Sequence, residues 1–166
     1  MNILFENKYF TNHKMLSEYV HKIICRKIKL AGIIVSAVTL VLLIITLYDD
    51  DSALSLVLGI CFLMALSVVI FVPILTLRQF KESNRHIHND KTFESVIKFG
   101  DNISISEGAF HLSIEYSQIL KIYIFKHSYV LMFGKNNGIL IDPMNFTIGN
   151  AEDFTGFIES KMKCSK

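Results

Sequence analysis

The chain has 166 residues, 51% of them hydrophobic and 19% charged, with a formal net charge of +2. A balance so close to neutral gives no electrostatic footprint for nucleic acid. Three scattered cysteines (Cys25, Cys61 and Cys164) are odd in number and lack paired spacing, which argues against a disulfide framework or a zinc site. Their expected state is inert thiol, with Cys25 beside the membrane as a conceivable acylation site.

In chain order, Ile3, Phe5 and their neighbours predict a strand. Leu16, Tyr19, Val20, Ile23 and Ile24 then form the apolar face of an amphipathic helix leading out of segment 1–29. Two uncharged runs follow, Leu30–Tyr48 and Ala53–Leu77, separated by Asp49, Asp50 and Asp51. A hydrocarbon layer about 30 Å thick needs roughly 20 helical residues to cross it. Both runs reach that length and are apolar on every face, unlike the one-sided stripe of a soluble helix. Their polar interruptions, Ser36, Thr39, Thr46, Ser55 and Ser67, are hydroxyls expected to bond back to their own helix carbonyls. The charged helical stretch ahead of the first run, and the lack of a small-residue cleavage site after it, do not fit a signal peptide. Gly32 and Gly59 are positions of possible close helix approach, and Pro73 of a kink. Neither run carries an ionisable residue that would mark an ion path. The expectation is a transmembrane hairpin, 30–77, acting as an anchor.

Lys22, Arg26, Lys27 and Lys29 precede the first run, and Arg78, Lys81 and Arg85 follow the second. Positive-inside asymmetry then predicts both termini in the cytoplasm and the aspartate turn outside, in the cell (inner or plasma) membrane. Segment charges agree: +4 over 1–29, −3 in the turn, +1 over the linker 78–90, and zero over 91–166. Within the linker, His86, His88 and Asp90 form a His-x-His-x-Asp pattern. Alternate strand positions share a face and could hold a metal, but a short motif in a polar connector reads as a solvated linker.

From Phe93 the pattern becomes short and alternating. Ser95–Phe99, Ile103–Ser106, Phe110–Ile114, Ile119–Phe125, Tyr129–Phe133 and Ile139–Ile141 predict six antiparallel strands, punctuated by Gly100-Asp101-Asn102, Glu107-Gly108, Lys126-His127 and the Gly134–Gly138 stretch. Asn150 reads as an N-cap of a terminal helix, with Glu152 and Asp153 in its first turn and Lys161, Lys163 and Lys166 at its end. Phe154, Phe157, Ile158 and Met162 make its apolar face. The N-terminal strand is expected to join the six later ones. The predicted fold class is an integral membrane α+β protein. It combines a two-transmembrane-helix hairpin with a cytoplasmic antiparallel β-barrel or sheet over 91–166, capped by a C-terminal helix. Seven strands and a helix are the outline of a pleckstrin-homology-like (PH-like) domain.

This order of elements resembles the YcxB-like membrane proteins of bacteria. Gly108-Ala109-Phe110 opens a strand, and Glu115-Tyr116-Ser117-Gln118-Ile119 stands where that family has an aromatic-containing stretch ending in isoleucine. Ile139-Leu140-Ile141-Asp142-Pro143-Met144-Asn145-Phe146 stands where it has an isoleucine-proline-basic run ending in phenylalanine, with Met144 and Asn145 replacing the usual basic residues. The resemblance implies a PH-like domain on a membrane anchor, and it transfers no catalytic residue.

The search for chemistry finds no phosphate loop, nucleophile elbow or zincin motif. Ser117 and His127 pair only on paper. The expected function is therefore a non-enzymatic, membrane-anchored interaction module without cofactor or evident small-molecule substrate, holding a protein partner at the inner leaflet beside the lipid bilayer. Lys121, Lys126, His127 and Lys135 form the candidate surface, with Tyr116, Tyr123, Phe125, Tyr129 and Phe133 as further aromatic candidates, most of them expected in the core by alternation. Two alternatives remain. One is a lipid-headgroup sensor built on the same lysines, disfavoured by the absence of arginine after Arg85. The other is a toxin-immunity or stress-related protein acting through its hairpin.

Overall fold

In the computed structural model, which describes residues 3–49, 52–87, 93–134 and 137–164, alternation along the early strand β1 (Phe5–Tyr9) gives it one apolar face. The chain divides into two units, Met1–Tyr19 with Ser83–Lys166, and Val20–Glu82. In the first unit β1 is followed by α1 (His13–Tyr19). The side chain of Asn12 caps α1 by accepting from the Met15 N–H at 3.0 Å.

The strands after the helical insertion are β2 (Ser95–Phe99), β3 (Ile103–Glu107), β4 (Phe110–Ile114), β5 (Lys121–Ile124), β6 (Tyr129–Met132), β7 (Gly138–Ile141) and β8 (Phe146–Ile148). They form two antiparallel sheets, ordered β4-β3-β2-β1-β8 and β5-β6-β7. The predicted joining of the N-terminal strand to the later ones holds, since β1 pairs with β2 from Phe5↔Phe99 to Tyr9↔Ser95. Two expectations need correction. Among the described residues there is no closed barrel, because the strands divide into separate sheets of five and three. The described strands number eight rather than seven: Phe146–Ile148, too short to show alternation, is recruited by the side of β1 away from β2.

Registers in the larger sheet put Phe5, Phe99, Ile103 and Ile114 in one row, and Asn7, Ile97, Ile105 and Leu112 in the next row on that face. Glu6, Lys98, Ser104 and Ser113 occupy the opposite face. The period-2 pattern thus sorts core from polar surface. The terminal helix α4 (Ala151–Cys164) starts where predicted, with Asn150 Oδ1 accepting from the Asp153 N–H at 2.8 Å. Its Phe154 and Ile158 are fully buried. The Phe154 ring meets Phe99 and Phe5 edge-on at 4.8 and 5.5 Å between centroids. Burying each such side chain is worth roughly 1.5–3 kcal/mol, so α4 and the larger sheet hold one another.

The second unit is helical. A π turn at Val20–Ile24, closed by the Cys25 N–H on the Val20 carbonyl at 2.8 Å, precedes α2 (Arg26–Tyr48). It is followed by α3 (Ser52–Ile87), which continues through most of the segment read as a linker. Both helices are long and apolar enough to cross a membrane. Their hydroxyls bond backward as expected: Ser36 to the Gly32 carbonyl at 2.7 Å, Thr39 to Val35 at 2.9 Å, Thr46 to Leu43 at 3.1 Å, Ser55 to Ser52 at 3.0 Å and Ser67 to Leu63 at 2.8 Å. The helices pack antiparallel, with Cys25 Sγ 3.8 Å from Thr76 Oγ1 and Gly32 against Val69. A Cβ at Gly32 would come within 2.5 Å of a Val69 methyl, so glycine sets the spacing there.

Gly149, between β8 and α4, has φ +79° and faces the ring of Phe5, which a Cβ would strike. Gly149→Ala is therefore expected to destabilise the sheet unit by about 1–3 kcal/mol, from left-handed strain and overpacking together. A lowered thermal midpoint of the detergent-solubilised full chain checks this, and an unchanged midpoint contradicts it.

Candidate interaction surface

The candidate residues fall mainly on one hairpin. The N–H of Phe125 donates to the Ser128 carbonyl at 2.9 Å, closing a turn over Lys126 and His127. β5 then pairs with β6 from Ile124↔Tyr129 to Lys121↔Met132. In an antiparallel ladder, backbone groups alternate between partner and free side. The closing bond makes Lys121, Tyr123 and Phe125 face β6 and turns the N–H and C=O of Ile122 and Ile124 outward. Among the described residues no strand pairs with that outer side.

The side chains follow the same parity. On one face Lys121 Nζ lies 4.6 Å above the Tyr123 ring, and Tyr123 stacks on Phe125 at 6.0 Å with planes 13° apart. On the other face Ile122 reaches the core, while Ile124 remains 54% exposed; Leu120, just ahead of β5, donates its N–H to the Met132 carbonyl at 2.7 Å and is 60% exposed. Lys126 is exposed at the turn. His127 contributes through its backbone, whose N–H donates to Glu18 Oε2 at 3.0 Å; the Ser128 hydroxyl donates to the same oxygen at 3.1 Å. Helix α1 thus latches the β5–β6 turn. It also meets β7, where the Tyr19 hydroxyl hydrogen-bonds the Gly138 backbone and burial pushes its pKa up. Lys135 lies outside the described residues.

The aromatic candidates divide. Tyr123 and Phe125 belong to the edge, whereas Tyr129 and Phe133 pack half-buried against the core. Tyr116 is a core residue. Its hydroxyl donates to the Gly100 carbonyl at 3.0 Å, and burial, with Asp101 nearby, pushes its pKa up to about 12. It sits on a short 3-10 turn held by a capping box between Glu115 and Gln118, a pattern visible in the sequence as Glu-x-x-Gln. Ser117 donates to Glu115 Oε2 at 3.0 Å, so the structure does not assemble Ser117 and His127 into a dyad.

One polar cluster is buried but serves the fold. Asn7 Nδ2 donates to the Asp142 carbonyl at 2.7 Å, and the Asp142 N–H returns to Asn7 Oδ1 at 3.1 Å. The Asp142 carboxylate accepts from the Met144 N–H at 3.0 Å and from Asn145 Nδ2 at 2.9 Å. Beside it Glu6 accepts from Thr147 Oγ1 at 2.6 Å and pairs with Lys8 at 3.2 Å and Lys98 at 3.7 Å. No fully buried side-chain nitrogen or oxygen among the described residues lacks a partner. The cluster sews β1 to β8 and to the segment between β7 and β8, a pairing with no local signal in the sequence. Tyr9, whose hydroxyl donates to the Leu140 carbonyl, completes this seam, and burial raises its pKa.

Among the described residues no group of three or more His, Cys, Asp or Glu side chains could hold a metal. His88 and Asp90 lie outside the described residues, as does the side chain of His86. Cys25 is only 1% exposed, which argues against the acylation considered from the sequence.

The bond from Thr147 is the largest influence lowering the Glu6 pKa, aided by Lys8 and Lys98 and opposed by burial. A depressed folded-state pKa gives stability that is complete above the ordinary carboxylate range and lost as pH falls through the depressed value. Thr147→Val should move this acid loss to higher pH. Thermal midpoints followed from pH 7 to pH 3 test it, and parallel curves for the two proteins would sink the assignment.

Residues 99–158 match the family model described as YcxB-like protein. No curated protein and no solved structure matches the chain. The matched stretch runs from the end of β2 through β3–β8 into α4 and contains the β5–β6 hairpin, and over these residues the chain is YcxB-like.

Proposed function

We propose that the protein is a membrane-anchored, non-enzymatic interaction module. In this reading α2 and α3 cross the cell membrane as a hairpin, both termini are cytoplasmic, and the sheet unit is a PH-like domain holding a protein partner at the inner leaflet. Apolar side chains exposed along both helices support the anchor. So do hydroxyls that bond their own helix backbone and basic residues at the non-turn ends. The PH-like assignment draws support from a four-strand meander, β1–β4, a three-strand meander, β5–β7, and a terminal helix; β8 is an addition to that plan.

The observation that carries the interaction reading is the outer side of β5. It combines outward backbone donors and acceptors with exposed Ile124 and Leu120, the combination used in strand-addition recognition.

Two measurements test the proposal. A photo-crosslinking residue at Lys121, used in living cells, should yield a discrete protein adduct. Lipid adducts alone would move the function to headgroup sensing, and no adduct would remove the interaction reading. For topology, in a Cys61→Ala, Cys164→Ala background, a membrane-impermeant maleimide should label Ser52→Cys in intact cells and leave Lys163→Cys unlabelled. The reverse pattern would invert the assigned orientation.

A further inference from the structure

The outer side of β5 is self-complementary, and we propose that two copies of this chain pair through it, antiparallel, across a two-fold axis at Tyr123. The inference deepens the interaction-module reading by naming a partner, and it rests on that reading for the confinement of both copies in one membrane.

Parity selects the register. Hydrogen bonding across this side must use residues whose backbone groups point outward, Ile122 and Ile124. Pairing centred on Tyr123 sets Ile122 against the partner's Ile124, and Ile124 against the partner's Ile122, giving four backbone hydrogen bonds between matched β-branched residues. A one-residue slip turns these groups away from each other. A centre at Ile124 would bring the charged Lys126 against the partner's Ile122 inside the strand, whereas the Tyr123 centre leaves Lys126 beyond it, opposite the partner's Leu120. A centre at Ile122 would oppose Phe125 to the partner's Ile119, which is buried in its own core.

Side chains fit the same choice. Tyr123 on the axis and Lys121 opposite the partner's Phe125 form the pairs without direct hydrogen bonds, where side chains approach most closely. Tyr123 then meets the partner's Tyr123, and Lys121 meets the partner's Phe125, adding a cation–aromatic contact to the one it makes with its own Tyr123. No like charges oppose each other in the central five residues. The edge also lacks the usual guards: from Leu120 to Phe125 there is no proline and no acidic residue, and its one charge, Lys121, is drawn over a ring.

Disulfide trapping in native membranes tests the pairing, using the full chain in a Cys61→Ala, Cys164→Ala background. Tyr123→Cys lies on the axis and should form a covalent dimer under mild oxidation, while Ser113→Cys on β4 should not. Adding Ile124→Pro removes an outward N–H without breaking a bond to β6, and the dimer should fall to background. Ile124→Lys provides the same loss should proline disturb the hairpin. Absence of the Tyr123→Cys dimer, or its persistence in both Ile124 variants, overturns the proposal. A Lys121 photo-adduct with a different protein, together with no Tyr123→Cys dimer, overturns self-pairing while leaving the interaction-module reading standing.

Discussion

Everything in the sheet unit depends on a strand that is distant in sequence from its neighbours. β1 sits between β2 and β8, so each of its sides is satisfied by residues from beyond the helical insertion. The Asn7–Asp142 exchange and the Glu6–Thr147 bond fix it further. Leaving buried backbone or amide groups unpaired costs roughly 1–3 kcal/mol each, so the loss of β1 would open the larger sheet in its interior rather than trim its edge. The Phe5 ring lies within the aromatic cluster of Phe146, Phe154 and Phe157. Polar stitching and aromatic packing therefore act on the same five residues.

The same arrangement explains the contrast between the two sheets. In the larger one, β1 and β8 extend the meander and leave the solvent face polar. In the smaller one, Val130 and Leu131, adjacent residues of β6 pointing to opposite faces, are both fully buried. Helix α1 accounts for the second covered face, through Tyr19 at Gly138 and Glu18 at the β5–β6 turn. The N-terminal segment thus contributes twice, as a central strand and as a cover, while among the described residues no strand pairs with the outer side of β5.

Much of this was legible in the residues. Strict alternation placed β3 and β4, and Asn150 with its following acids placed the start of α4. Length and lack of charge identified the two long helices. The misses have physical causes. β8 is three residues long, below the length at which a period of two can be seen, and exists because β1 has an open side. α3 outlasts its apolar run because Arg78–Ile87 contains no proline or glycine to stop it. Tyr116 is in the core, as alternation leads one to expect for most of the candidate aromatics, and the turn at Glu115–Gln118 carries it. For the candidate surface, lysines and turn residues pointed to the β5–β6 hairpin, whereas the parity that turns Ile122 and Ile124 outward depends on one hydrogen bond between Phe125 and Ser128.

The position of the helical insertion bears on how the molecule is made. A ribosome delivers β1 and α1 first, then both long helices, and only afterwards the strands that β1 needs. Phe5 and Tyr9 must wait unpaired while the hydrophobic pair is synthesised. Within the helical unit Cys25 and Thr76 lie side by side, so pairing of the two helices brings chain positions 25 and 76 together. This shortens the effective loop that β1 must close, and such closure grows costlier with loop length. The YcxB-like stretch, residues 99–158, leaves out β1 and nearly all of β2, the strands that complete the larger sheet.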